Sequence, residues 1–228
     1  MRNLKINGII LMCLIMLSGC SSTKVLDSWK AEPSIVDLFK QKNVIVIART
    51  ANNQARLAFE IEIAKALREK GIKATESYTR APKIYPNKEM SEERVAFIKG
   101  LMESEGYNAV VLTVIKDKTE TIRTTSSGIY VGATYNNFYP GYYGGFYDYF
   151  SYPYAYGSYY NSFGGYLPVS SSTYVETKYV LETVAYNLDE PAENQLVAVV
   201  TTSLDDPKES YKAAEKYVDM IVKSLSNK

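Results

Sequence analysis

Asn43-Val44-Ile45-Val46-Ile47-Ala48-Arg49, then Thr50-Ala51-Asn52-Asn53 and a helical pattern over 54–70, is the stretch from which the fold can be read. The β-branched run 44–47 has no polar face, which is what a strand covered on both sides requires. Within 54–70, Phe59, Ile63 and Leu67 fall on one stripe flanked by Ala55 and Ala66, while Arg56, Glu60, Glu62, Lys65 and Glu69 read as mostly off it. Gly71 stands where a helix C-cap glycine belongs, and 72–76 reads as a second short strand. Strand, helix and strand in that order imply a parallel crossover of right hand.

Moving outward, 77–90 contains Pro82 and Pro86 and reads as a loop. Ser91 is a helix cap with Glu92 and Glu93 in the positive first turn; Val95, Ile98, Leu101 and Met102 form the apolar stripe, and Gly106 ends it. Residues 109–115 are another buried strand, continuing as alternating Lys116, Lys118, Glu120 and Ile122. In 173–188, Val180, Val184, Tyr186 and Leu188 share one face, with Lys178 and Glu182 nearer a solvated start. A turn at 189–194 leads into 195–203, which pairs back as a hairpin. Asp206-Pro207-Lys208-Glu209 reads as a helix start, with Asp at N-cap, Pro at N1 and Glu at N3. The stripe Tyr211, Ala214, Val218, Ile221, Val222 and Leu225 follows it. The fold class is therefore α+β: a mixed sheet of about five strands with three helices, in the order β-α-β-α-β-β-β-α.

At the other end, Arg2 and Lys5 precede the apolar run 9–17 and Leu17-Ser18-Gly19-Cys20. A run of about ten apolar residues is half of the roughly 20 that span a bilayer, but it fits a signal-peptide core. The ending resembles a bacterial lipobox, which implies that 1–19 is removed and that Cys20 is lipidated. Two or three acyl chains at about 0.8 kcal/mol per buried CH2 hold a membrane more firmly than one myristoyl group. The alternative is an ordinary secretory signal with an incidental cysteine. Ser21 is not Asp, so by analogy with envelope sorting the outer membrane, facing the periplasm, is the expected location. Residues 20–42 then read as a Ser/Thr tether with a possible edge strand at Val25-Leu26-Asp27-Ser28-Trp29, the only Trp acting as a lid, and 43–228 as a single domain.

Between two strands lies a stretch of different composition. Residues 129–168 hold 13 Tyr, four Phe, seven Gly and three Pro with one charge, Asp148, so 17 of 40 residues are aromatic against 13% for the chain. A hairpin turn there normally takes about 2–5 residues. Buried tyrosyl hydroxyls need partners and Gly/Pro backbone is entropically costly, so a packed core is not expected from it. Charge-poor aromatic sequence is not ordinary disorder either. A sticky, uncharged, flexible loop remains, with Tyr142, Tyr143, Tyr147, Tyr149, Tyr154, Tyr156, Tyr159 and Tyr160 as candidate contacts for a protein, glycan or headgroup surface. The plain alternative is an aromatic hairpin or a functionless expansion.

Chemistry is sparse. With no His, imidazole bases, triads and metal sites are absent. Cys13 leaves with the signal and Cys20 is consumed by lipid, so no thiol nucleophile, disulfide or thiolate metal site remains. No cofactor or metal is expected. Losing Arg2 and Lys5 reduces 26 basic residues to 24 against 25 acidic, a net −1 that gives no footprint for nucleic acid. Asp205-Asp206 and Asp189-Glu190 read as turn and cap residues, and a Ser–Lys centre has no signal above chance. One binding geometry stands out, because ligands of open α/β sheets sit beyond the carboxyl ends of parallel strands. Arg49, Thr50, Asn52 and Asn53 follow the first such strand, and Ser77, Tyr78 and Arg80 the second. Two converging arginines there would hold an anion, unless they solvate the loops or pair with Glu60 or Glu76.

Tyr179-Val180-Leu181-Glu182-Thr183-Val184-Ala185-Tyr186-Asn187-Leu188, then Gln195-Leu196-Val197-Ala198 and the terminal helix, resemble a family of small uncharacterised bacterial lipoproteins. There the second strand often carries Leu-Val-Trp; this chain has Ala198 at the Trp place. The resemblance implies a periplasm-facing α/β module similar to the N-terminal domain of the Tol–Pal β-propeller protein, and it carries no catalytic residues. The expectation is a non-enzymatic envelope lipoprotein with an envelope protein or glycan as partner, or a module binding a small ligand or glycan at the strand ends.

Overall fold

The computed structural model describes residues 23–81, 91–124, 129–130, 145–151, 166–167 and 173–226. It contains a six-stranded mixed sheet, order β1-β8-β7-β4-β2-β3, and a two-stranded one that pairs β5 (Ile129–Tyr130) with β6 (Tyr166–Leu167). β2 (Asn43–Arg49) lies between β3 (Lys73–Glu76) and β4 (Ala109–Thr124) and is parallel to both. Val44, Ile45, Val46 and Ile47 are all 0% exposed. Val44 and Val46 enter one core cluster, Ile45 and Ile47 the other, which is why the run carries no polar side chain. β4 pairs antiparallel with β7 (Thr173–Asn187), which pairs antiparallel with β8 (Leu196–Asp205).

The first face is covered by α2 (Asn53–Glu69) and α6 (Ser210–Ser226), whose Phe59, Ile63, Ala214 and Tyr217 join its core. The Tyr217 hydroxyl bonds Thr183 at 2.7 Å, and Thr183 bonds Thr113 at 2.7 Å, so the polar atoms deep in this face satisfy one another. The second face is covered by α4 (Glu92–Ser104), through Ile98 and Met102, and by α5 (Phe146–Ser151). Gly71 (φ 79°) ends α2 in a Schellman arrangement: its N–H donates to the Arg68 carbonyl and that of Ile72 to the Leu67 carbonyl. Among the described residues no helix is long and apolar enough to cross a membrane.

The α+β mixed sheet is the expected class, with a sixth strand and additional short helices. From Thr23 onward the stretch read as a tether is structured, and the edge strand expected at 25–29 is present within β1 at the sheet edge. β1 (Thr23–Lys30) zips antiparallel onto β8, Trp29 packs on the second core cluster, and α1 (Pro33–Phe39) buries Phe39 in the first. In the 77–90 loop, Ser77–Arg80 forms one helical turn, α3, while Pro82 and Pro86 lie outside the described residues. The last helix begins at Ser210 instead of capping at Asp206. Asp206 sits at φ 45° and its N–H donates to the Thr177 carbonyl at 2.7 Å, so the sheet ladder claims that residue first and the chain turns through it.

Two burial assignments are corrected. Glu182, expected near a solvated start, is 0% exposed and pairs with Lys116, 8% exposed, at 3.3 Å. Arg56 and Glu60, expected off the helical stripe, are 6% and 0% exposed. The aromatic insert is corrected in part: Phe146 and Phe150 are both 0% exposed in the second core cluster, so a packed core does use it. Tyr186 supplies an edge-on ring 6.0 Å from Phe146.

Candidate functional site

The carboxyl ends of β2 and β3 do converge, but on a residue other than those expected. α2 is capped by Asn52, whose side-chain oxygen accepts from the Gln54 and Ala55 N–H groups, and one turn on it brings Arg56 and Glu60 inward (i, i+4). The Glu60 carboxylate is enclosed. Oε1 accepts from the Ala48 N–H at the end of β2 (3.1 Å), from Arg56 Nε (2.9 Å) and from the Ser77 hydroxyl (2.8 Å). Oε2 accepts from the Tyr78 N–H at 2.6 Å. Arg56 also donates to Ser77 Oγ at 2.9 Å and lies 5.3 Å from the Tyr78 ring centroid. Both carboxylate oxygens are thus filled by protein donors away from water. Chemically this is a clamp joining β2, α2 and the β3–α3 turn; a proton shuttle needs an oxygen that substrate can reach.

The other candidates surround this clamp without forming one pocket. Arg49 is buried and turned to the second face, where its guanidinium donates to the Phe150 carbonyl at 2.7 Å and lies 5.5 Å from the Phe150 ring centroid. The cation close enough to be felt there is Arg94 of α4, whose pKa is lowered by burial first and by Arg49 second. A cavity of about 140 Å3 at the strand ends is lined by Arg49, Thr50, Asn52, Phe59, Tyr179 and Pro207 among others. Tyr78 and Arg80 are not part of that lining; both are exposed on α3. Asn53 is the exposed first residue of α2.

Sequence reasoning missed Arg56, named Glu60 only as a partner for Arg49 or Arg80, and missed Arg94. A signal for the first two existed, because positions 56, 60, 63 and 67 recur at helical spacing with Ile63 and Leu67 on the buried side. Arg94 gave none, since its neighbour is set by the packing of α4 on the sheet.

Of the candidate interaction tyrosines, Tyr142, Tyr143, Tyr154, Tyr156, Tyr159 and Tyr160 lie outside the described residues, as do Cys20 and the side chain of Tyr149. Tyr147 is described, half-buried on α5 with its ring 5.0 Å from that of Phe146. Burial pushes its phenol up from 10.0 to about 12, and Glu103 adds to the shift. Because the folded value is raised, the neutral phenol's contribution to stability is complete below pH 10 and is lost as pH rises through about 12. An ultraviolet titration of tyrosinate is expected to show at least two phenols ionising after the exposed ones, Tyr147 and the fully buried Tyr217, whose burial raises it further, and Tyr147→Phe is expected to remove the earlier of these late components. A titration unchanged by the substitution would place the shift elsewhere.

No family model matches the sequence, and no curated protein matches it. Among solved structures, a PelC dodecamer from Paraburkholderia phytofirmans is similar at 12% identity, covering 90% of this chain and 96% of that one with a TM-score of 0.39. A variant of that protein with one leucine replaced by methionine, in another crystal form, gives 10% identity, 89% and 96% coverage and a TM-score of 0.38.

Proposed function

We propose that this chain is a lipid-anchored protein of the cell envelope that acts by binding, without catalysis, and that its tyrosine-rich insert supplies the contact surface for an envelope protein. The observation that carries this reading is the way the insert is held. The β4–β7 ladder runs out to the Thr124–Thr173 rung, the insert's two ends pair with each other at Ile129–Leu167 and Tyr130–Tyr166, and its middle is pinned at the other end of the sheet. There Phe146 N–H donates to the Gln195 side chain at 2.9 Å, and a Cβ on Gly145 would meet that of Ala192 at 2.8 Å. The pin turns one 40-residue loop into two shorter arms, 131–144 and 152–165, which hold most of its tyrosines. Shorter loops between fixed points lose less conformational entropy when a partner orders them. The anchor fits the same picture: only Ser21 and Ser22 stand between Cys20 and Thr23, so about 11 Å of extended chain would separate lipid from sheet.

The test is photo-cross-linking in intact cells. A variant with Tyr142, Tyr143, Tyr154, Tyr156, Tyr159 and Tyr160 changed to Ser is expected to lose its cross-linked partner while keeping its thermal midpoint and its membrane fractionation. An unchanged cross-link pattern would reject the insert as the contact element. Recovery of a mature chain without lipid at Cys20 would reject the anchor. The second reading, a small ligand or glycan at the strand ends, draws on the cavity beside Arg49 and Asn52, whose polar groups already serve Phe150 and the α2 cap.

A further inference from the structure

On the first face of the sheet, at the end away from the Glu60 clamp, a groove of about 370 Å3 opens among α1, α2 and α6. Its floor is low because Ala185 and Ala198 are register partners on neighbouring strands, so two adjacent positions carry only a methyl. Its walls are apolar: Ile63 and Leu67 from α2, Ile221 and Val222 from α6. The deep hydroxyl, Thr183, is already bonded to Thr113 and Tyr217, so the interior asks for no polar partner.

The charged side chains lining the groove are Lys30, Lys40 and Lys70, and no carboxylate is among its lining residues. Lys40 and Lys70 stand just ahead of β2 and β3, and Lys30 stands on the edge strand in register with Ala198 of the floor. Lys30 ends β1 and donates to the Leu225 carbonyl at 2.7 Å, Lys40 is the C-cap of α1, and Lys70 the C-cap of α2. Lys40 shares an exposed pair with Asp37, and Lys70 has no ion pair among the described residues.

Size decides what class of occupant fits. A volume of this size suits a small molecule. An apolar trough lined by lysines and no carboxylate matches a chain that is apolar along its length and anionic at one end.

We propose that this groove binds a single-chain anionic amphiphile, a long-chain carboxylate, with its alkyl tail lying between α2 and α6 and its head at the lysines. No described residue of the tyrosine-rich insert lines the groove, and the proposal stands whether or not the insert binds a partner.

The experiment is displacement of a fluorescent fatty-acid probe from the purified, delipidated protein by straight-chain carboxylates of increasing length. Affinity is expected to rise about fourfold per added methylene until the groove is full. Ala198→Trp fills the floor and is expected to remove binding; where that variant does not fold, Ala66→Phe on the α2 wall is expected to do the same. Lys70→Glu is expected to weaken the carboxylate about fivefold while leaving an alcohol of equal length unchanged. Affinity that ignores chain length, or a folded Ala198→Trp or Ala66→Phe protein that binds as the parent does, would overturn the proposal.

Discussion

Glu60→Ala is expected to lower stability by about 3–5 kcal/mol, the range for removing one partner of a buried ion pair. The reason is what remains behind. Arg56, 6% exposed, would keep its charge inside the protein without a counter-ion, and the Ala48 and Tyr78 N–H groups would lose their acceptor. For a chain of this size, that free-energy change corresponds to a fall in melting temperature of about 6–20 °C. Replacing both members, Arg56→Leu with Glu60→Leu, is expected to recover part of the loss, since no unpaired charge is left. Chemical denaturation of the two single variants and the double variant measures the coupling. A Glu60→Ala protein less than about 1 kcal/mol weaker would show that the clamp does not hold β2, α2 and the β3–α3 turn together.

The second large effect concerns the insert. Phe146→Ala and Phe150→Ala are each expected to cost about 3–5 kcal/mol, because each ring is fully enclosed between the sheet and α4 and leaves a cavity there. Phe150 has a further role, since its carbonyl accepts from the buried Arg49 guanidinium. Excising the whole of 129–168 removes both rings at once, so such a deletion is expected to unfold the protein, and a lost activity could not then be assigned to binding. The six Tyr→Ser changes avoid the pinned segment. Equal melting temperatures for the parent and either Phe→Ala variant would mean that α5 does not close the second face.

The insert also shows where sequence reading stops. Its composition announced a break from the surrounding domain, and that much was legible. Which of its aromatics face the core depends on what the β7–β8 turn and the carboxyl end of β2 present to them, through Gln195 and Arg49. Those contacts span 49 and 101 residues of sequence, and no local pattern reports them. Glu182 and Glu60 are a different kind of miss. Positions 180, 182, 184 and 186 have one parity, and 56, 60, 63 and 67 one helical face, so periodicity placed both carboxylates on buried sides. Residue type argued the other way, and an unpaired buried carboxylate is indeed costly. The missing information was the partner: Lys116 for Glu182, and Arg56 with Ser77 and two backbone N–H groups for Glu60.

Local sequence by itself determined the strands, the long helices and their glycine ends, because periodicity, capping and left-handed closure act over a few neighbouring residues. It also determined what the chain lacks for chemistry, since imidazole is a matter of composition. Only the tertiary structure decided that the Glu60 carboxylate is a clamp, that two phenylalanines of the insert are core, and that paired alanines leave an apolar groove beside three lysines. Each of these depends on side chains far apart in sequence meeting in a space with little water, where the strength of a charge and the size of a methyl are set by what stands opposite.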